Sequence, residues 1–110
     1  MERYTLDFNL PVHIFFIGIG GISMSGLAKV LADRGFHVSG SDNHETELTK
    51  MLEQHGAKVF YGGQKKENIT DDIDVVVYTA AIHPDNPEYV ASVEKKIPMM
   101  TRAELLGELM

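Results

Sequence analysis

Three glycines fall within residues 18–21, between an apolar run at 13–17 and a segment rich in small and hydroxyl residues. Glycine lets a backbone turn tightly and come close to an anion. The first amides of a helix add free N–H groups and a partial positive charge of about 0.5. These residue types in this order therefore have the chemistry of a phosphate site that needs no basic side chain.

The spacing of these glycines meets the G-x-G-x-x-G pattern only in part. Gly18 and Gly20 fit the pattern, Ser23 stands where the third glycine is expected, and Gly21 is an extra glycine. Such a motif indicates a nucleotide site only when a strand precedes it and a helix follows it. The alternative is a tight strand-to-helix turn that binds no ligand.

The apolar patterning supplies both of those flanking elements. Residues 15–17 are strand formers, and the apolar residues at 27, 30 and 31 have helical spacing. Strands are predicted at 13–17, 36–42, 57–61, 73–79 and 97–100, and helices at 22–34, 46–55, 87–96 and from 102 onward. This alternation predicts an α/β fold, a Rossmann-like open parallel sheet of about five strands with helices on both faces, in a single domain.

Local signals mark the ends of the predicted helices. Gly35 and Gly56 are predicted to end the first two helices. Asn86 followed by Pro87 is a helix start, and Thr101 three residues before a glutamate fits a capping box. Residues 1–11 form a lead-in segment, so the predicted domain covers 12–110.

Composition excludes several classes of function. The 110 residues carry a net charge of −6 and no basic run longer than two lysines, so we expect no nucleic-acid partner. There is no cysteine, which is compatible with a reducing compartment. Neither a signal peptide nor an apolar run of the ~20 residues that span a bilayer occurs in the sequence, so we expect a cytoplasmic chain without a membrane partner.

The carboxyl end of the second predicted strand carries an acidic residue, Asp42. In open α/β sheets ligands bind at the carboxyl ends of the strands, and a ribose-reading acid follows the first glycine by about 20 residues. Asp42 has that spacing from Gly18. The alternative is that Asp42 or Asn43 caps the next helix.

Several spaced blocks together resemble the amino-terminal domain of the Mur ligases, in particular the UDP-N-acetylmuramate–L-alanine ligases of peptidoglycan synthesis. The blocks are 18–28, 40–42, 79–82, 86–88 and 101–106. The resemblance covers nearly the whole chain from His13 onward. Two positions depart from the family pattern: Ser23 stands where glycine is frequent, and Gly63 stands where histidine is frequent, which puts one uridine contact in doubt.

The resemblance implies that this domain binds the uridine nucleotide of UDP-N-acetylmuramate. In the family a central domain holds the ATP-binding P-loop, and a third domain completes the amino-acid site. ATP and Mg²⁺ activate the muramyl carboxylate as an acyl phosphate, which the amine of L-alanine attacks. No G-x-x-x-x-G-K-[ST] occurs here, so we expect the central and carboxyl-terminal domains, with ATP and Mg²⁺, to be missing partners, and this fragment to have no cofactor and no catalysis of its own.

On this interpretation the amides of 20–25 bind the diphosphate, Asp42 and its neighbours face the uridine, and 80–83 line the cleft. Asn86 and Arg102 are weaker candidates, and the five histidines show no metal-ligand spacing. The candidate binding residues are Gly18, Gly20, Gly21, Ile22, Ser23, Met24, Ser25, Ser41, Asp42, Asn43, Ala80, Ala81, Ile82, His83, Asn86 and Arg102.

Three alternatives remain at this point. The chain could be a Rossmann domain that binds NAD or FAD, in a dehydrogenase or a regulatory module, although Ser23 disfavours it. It could belong to the related ligase that attaches a tripeptide to UDP-N-acetylmuramate, or it could be an interaction domain without a ligand. We also expect Gly20→Val to weaken nucleotide binding with little effect on the fold, because a Cβ would block the anion.

Overall fold

Five strands and four helices alternate along the part of the chain that the computed structural model describes, residues 12–109. The elements are β1 (His13–Ile17), α1 (Ile22–Asp33), β2 (His37–Ser41), α2 (Glu47–Gln54), β3 (Lys58–Phe60), β4 (Val75–Tyr78), α3 (Pro87–Glu94), β5 (Met99–Thr101) and α4 (Arg102–Leu109). A 3-10 turn at Lys66–Asn68 precedes β4. The predicted lead-in at 1–11 lies outside the described residues.

The five strands form one parallel sheet in the order β3-β2-β1-β4-β5. The chain moves outward from β1 to β3 and then crosses to the other side of β1. The register sets Ile17, the last residue of β1, beside Ser41, the last residue of β2. The predicted fold is confirmed, and β3 and β5 are the edge strands of the sheet.

Alternate side chains of the strands supply two separate cores, as expected for a parallel sheet covered on both faces. Ile14 and Phe16 belong to the larger core, which also takes Leu27, Leu52 and Leu105 from α1, α2 and α4. The smaller core, on the opposite face, contains Phe15, Ile17 and Val76 from the strands, Ile69 and Ile73 from the chain before β4, and Ala91 from α3. Of the helices within 12–109, three therefore cover one face of the sheet and α3 covers the other.

The first two helices end at the predicted glycines. Gly35 and Gly56 have φ of +93° and +97°, in the left-handed region. In both cases the amide that follows the glycine reaches back to the helix, as when Phe36 donates to the carbonyl of Leu31 at 3.1 Å. This is the Schellman arrangement, which satisfies the last carbonyls of a helix.

The third helix is shorter than predicted because Lys96 adopts a positive φ and ends the helix as Gly35 and Gly56 end the first two. Lys96 has φ of +58° and is the non-glycine residue with positive φ in the described range. The amide of Ile97 donates to the carbonyl of Ser92 at 3.0 Å, so Ile97 is part of the helix-ending turn. The fifth strand therefore begins at Met99 instead of 97.

Candidate nucleotide-binding site

A cleft opens between the carboxyl ends of β1 and β4, where the strand order reverses. This reversal is the usual place for a ligand in an open α/β sheet. The cleft has a volume of about 280 Å³. Its lining residues are Ile17, Gly18, Gly21, Met24, Gln64, Thr79, Ile82, His83 and Asn86.

The glycine turn directs the start of α1 toward this cleft. Gly18 has φ of +78°, which disfavours any residue with a side chain. The amide of Gly21 donates to the carbonyl of Gly18 at 3.3 Å, and Gly21 then precedes α1 as its N-cap. Gly21 has no side chain to cap the helix, so the first-turn amides of residues 22–24 have neither a capping nor an intrahelical partner within the described residues.

Hydrogen bonds within the protein already occupy some of the amides that were predicted to bind the diphosphate. The amide of Gly20 donates to Asp42 Oδ2 at 2.9 Å, and the amide of Ser25 donates to the carbonyl of Gly21 at 2.8 Å. The hydroxyl of Ser25 donates to the carbonyl of Ile22 at 3.0 Å and is buried. The amides of 22–24 are therefore the donors left for an anion.

The carboxylate of Asp42 is hydrogen-bonded to the glycine turn. Its Oδ2 accepts from Gly20, and its Oδ1 accepts from the amide of His44 at 3.3 Å. The alternative that Asp42 or Asn43 caps α2 is wrong, because Thr46 is the N-cap and its side chain accepts from the amide of Thr49. A Cβ at Gly20 would lie 2.5 Å from Asp42 Oδ2, so a larger residue there first disturbs this contact.

Two of the candidate residues turn their side chains into the protein. Met24 is 2% exposed and belongs to the larger core, so its amide is the part that can face a ligand. Ser41 is fully buried, and its hydroxyl donates to Glu88 Oε1 at 2.5 Å. Neither side chain has a polar group free for a nucleotide.

Arg102 reaches the first turn of α1. Its Nη1 donates to Ser23 Oγ at 3.0 Å, although the two residues are 79 positions apart. Ser23 is exposed, and Arg102 is half-buried as the first residue of α4. A guanidinium thus stands beside the free amides of α1, where it adds a fixed positive charge to this end of the sheet.

Only part of the loop after β4 lines the cleft. Ile82 packs against the smaller core and lines the cleft. His83 also lines the cleft and is exposed. Ala80 and Ala81 are not part of the cleft lining. On the β2 side Asn43 is exposed, and a Cβ at Gly63 would lie 3.5 Å from its Oδ1.

Asn86 has a structural function in addition to its place in the cleft. Its Oδ1 accepts from the amides of Glu88 at 2.9 Å and Tyr89 at 3.3 Å, which confirms it as the N-cap of α3. Its Nδ2 donates to Gln64 Oε1 at 3.2 Å. Gln64 lines the cleft and was missed from the sequence because no local motif marks it, and Thr79 was missed as a lining residue although it begins the 79–82 block.

Glu88 is a third polar residue of this region that was not among the candidate residues, although it lies in the 86–88 block. Its side chain is fully buried, and it accepts hydrogen bonds from Ser41, from the Lys65 amide at 3.2 Å and from Asn68 Nδ2 at 2.8 Å. Burial raises the pKa of this carboxyl, and the three hydrogen bonds partly oppose that rise. All three contacting groups are uncharged.

A larger cleft, of about 570 Å³, lies elsewhere and does not contact the glycine turn. It surrounds His13 and His37, the first residues of β1 and β2, and so lies at the amino ends of the strands. His13 already contacts Ser39 Oγ at 2.7 Å through Nε2 and Asp72 at 3.5 Å through Nδ1.

Over residues 12–109 no group of three or more histidine, cysteine or acidic residues is arranged to hold a metal, and no helix there has the length and apolarity to cross a bilayer.

Comparison with known families identifies the family of this chain. A family model described as "Mur ligase family, catalytic domain" matches residues 13–110. The chain belongs to the Mur ligase family. The family-level identification made from the sequence is thereby confirmed.

Individual Mur ligases match with high identity over a limited part of their length. The UDP-N-acetylmuramate–L-alanine ligases of Agathobacter rectalis and Lachnospira eligens are 61% and 63% identical to this chain over 107 residues. Each alignment covers 97% of this chain and 23% of the relative. The chain therefore spans under a quarter of the length of these curated relatives.

Solved structures of Mur ligases share the fold. A UDP-N-acetylmuramate–alanine ligase from Thermotoga maritima has a TM-score of 0.80 at 34% identity, over 88% of this chain and 22% of that one. A UDP-N-acetylmuramate:L-alanyl-γ-D-glutamyl-meso-diaminopimelate ligase from Neisseria meningitides has a TM-score of 0.80 at 29% identity, over 90% of this chain and 31% of that one.

Proposed function

We propose that residues 12–110 form the domain that binds the uridine diphosphate part of UDP-N-acetylmuramate, within a ligase that joins L-alanine to that sugar nucleotide in peptidoglycan synthesis. The parent enzyme would be cytoplasmic, and its ATP and Mg²⁺ would be held by a central domain beyond this chain. The domain would hold and orient the substrate, and the remaining domains would carry out the chemistry.

The observation that carries this proposal is the group of three unpartnered amides, at 22–24, at the start of α1. A diphosphate placed there accepts from backbone N–H groups and gains from the helix dipole. Arg102 stands beside these amides and can add a charge-assisted contact to a phosphate oxygen, because Ser23 holds its guanidinium at that end of the helix.

Two further polar side chains are available for the nucleoside or the sugar. Asn43 lies on the β2 side of the glycine turn and His83 on the β4 side. A Cβ at Gly63 would lie 3.5 Å from Asn43 Oδ1, and the φ of +100° at Gly63 disfavours any side chain there. The uridine contact that histidine supplies elsewhere in the family would here be missing or would be made by Asn43.

The position of Asp42 weighs against the proposal of an NAD- or FAD-binding domain. In such domains the acid at the end of the second strand grips the adenosine ribose. Here one carboxylate oxygen already accepts from Gly20 and the other from His44.

The L-alanine specificity is favoured over the tripeptide specificity by the 61% and 63% identities to L-alanine ligases, against 29% for the tripeptide enzyme.

The proposal is tested by titrating the chain with ligand and measuring the chemical shifts of its backbone amides. UDP-N-acetylmuramate should shift the amides of Ile22, Ser23 and Met24 in a saturable way, whereas NAD should not. Uridine, which lacks phosphates, serves as the control and should leave these three amides unmoved. Saturable shifts of the same amides with NAD alone would overturn the proposal, and so would their silence with the uridine diphosphate sugar.

A further inference from the structure

Glu88 is a fully buried carboxylate that joins three separate parts of the chain without a charged partner among its hydrogen-bond contacts. Ser41 Oγ, at the end of β2, donates to Oε1 at 2.5 Å. The Lys65 amide and Asn68 Nδ2, both in the connection between β3 and β4, donate to Oε2 at 3.2 Å and 2.8 Å. Burying a carboxylate is costly unless its oxygens are hydrogen-bonded, and here three donors supply that compensation.

The segment that Glu88 holds is part of the rim of the candidate site. It begins with Gly62 and Gly63, whose φ values are +93° and +100°, and neither glycine has a side chain to fix it in place. Gly63 faces Asn43, and Gln64 lines the cleft. The segment therefore depends on polar contacts to α3 and its N-cap for its position: Gln64 to Asn86, and Lys65 and Asn68 to Glu88.

The same carboxylate also fixes the residue next to Asp42. Ser41 is the last residue of β2, its carbonyl accepts from the Ile19 amide at 2.9 Å, and Asp42 then holds Gly20. One side chain thus connects the rim segment to the strand end that supports the glycine turn.

We propose that Glu88 is a positioning residue of the nucleotide site, which holds the 62–68 segment against the end of β2 so that Asn43, Gly63 and Gln64 face the bound nucleoside. This inference rests on the proposed function above. Glu88 itself is buried and does not touch the ligand, so it acts only through the residues it holds.

The contact pattern identifies the variants that separate positioning from stability. In Glu88→Gln the amide oxygen can take the place of Oε2 and keep both contacts to the rim segment, while the NH₂ group donates to the Ser41 hydroxyl. Glu88→Ala removes all three contacts. Ser92→Ala is the matched control, because Ser92 is buried on the same helix and its hydroxyl donates to the Glu88 carbonyl at 2.7 Å, so it perturbs α3 without touching the carboxylate.

The experiment measures the affinity of the 110-residue chain for UDP-N-acetylmuramate by calorimetry and the hydrogen exchange of the Lys65 amide without ligand. We expect Glu88→Ala to lose about tenfold in affinity and the Lys65 amide to exchange faster. Glu88→Gln should stay within about threefold of wild type, and Ser92→Ala should keep both properties. Asn68→Ala, at a half-buried position, should lose affinity in the same direction and covers the case in which Glu88→Ala does not fold.

Each outcome decides one of the two proposals. If the wild-type chain does not bind the nucleotide, the proposed function fails and this positioning function fails with it. If the wild type binds and both Glu88→Ala and Asn68→Ala bind equally well, the positioning function alone is overturned. The positioning function is also overturned if Ser92→Ala loses as much affinity as Glu88→Ala, because the effect would then be a general one of helix stability.

Discussion

The carboxylate of Asp42 and the amide of Gly20 form a contact that joins the end of β2 to the glycine turn, with Oδ2 2.9 Å from the amide nitrogen. The contact leaves no room at Gly20, where a Cβ would lie 2.5 Å from Oδ2 and 2.9 Å from Cγ of Asp42. The glycine is therefore required for close approach of a carboxylate within the protein itself. This differs from the expectation that a side chain there would simply block the anion.

Gly20→Ala should lower the free energy of unfolding by about 2 kcal/mol, because it breaks a hydrogen bond to a charged group. Gly21→Ala is the matched control and should cost less, about 0.5–1 kcal/mol, because alanine is a poorer N-cap than glycine, whereas a Cβ there meets no atom closer than 3.6 Å. Denaturant unfolding measures both. In the background of Asp42→Ala the cost of Gly20→Ala should be clearly smaller, and an undiminished cost would contradict the assignment of the clash.

Arg102→Ala should weaken UDP binding about tenfold or more, because a charge-assisted hydrogen bond to a phosphate contributes ~1.5–3 kcal/mol. Binding of uridine should be unchanged, since uridine has no phosphate. Lys50→Ala removes the same charge from the exposed surface of α2 and serves as the control. Equal losses in the two variants would show that only the overall charge matters.

Asn86→Ala should lower the free energy of unfolding by about 1 kcal/mol, the usual effect of losing an N-cap. Asn86→Asp keeps the oxygen that accepts from Glu88 and Tyr89 and should retain most of this stability. It loses the Nδ2 contact to Gln64, so it tests the rim of the cleft separately from the helix. A thermal melt of the two variants gives the comparison, and equal destabilisation by both would argue against the capping function.

The stability of the chain should depend on pH through Glu88. Burial raises its pKa in the folded chain above the ordinary value of 4.5, so the folded state binds more protons than the unfolded state between the two values. The free energy of unfolding contributed by this group is therefore largest below pH 4.5 and falls as the pH rises through the folded pKa. Unfolding of wild type and Glu88→Gln across a range of about pH 4–8 measures this difference, and parallel curves for the two proteins would contradict it.

Much of the fold follows from local patterns in the sequence. Apolar runs and helical spacing predict five strands and four helices in the right order, and the alternation of the two predicts the parallel sheet. The start of α3 at Asn86 and the capping box of Thr101 and Glu104, whose amide donates to Thr101 Oγ1 at 3.1 Å, are both confirmed. These signals succeed because they act within a few residues of one another.

The ending of α3 shows where local patterns stop being sufficient. Gly35 and Gly56 predict the ends of their helices correctly because glycine adopts positive φ without steric cost. Lys96 adopts a φ of +58° with no such preference, and the following strand, which begins at Met99, fixes the direction that the chain must take. The physical reason is that packing of β5 against β4 overrides the intrinsic preference of one residue.

The sequence by itself determined the glycine turn, the class of fold and the family of the chain, because all three follow from residue types and their spacing along the chain and need no knowledge of which distant residues meet. Only the tertiary structure decided which donors remain free. Asp42 meets Gly20 across 22 positions, Glu88 meets Ser41 across 47, and Arg102 meets Ser23 across 79. Such partners are chosen by strand register and helix packing, which bring distant residues to one end of the sheet, and no local pattern in the chain encodes those distances.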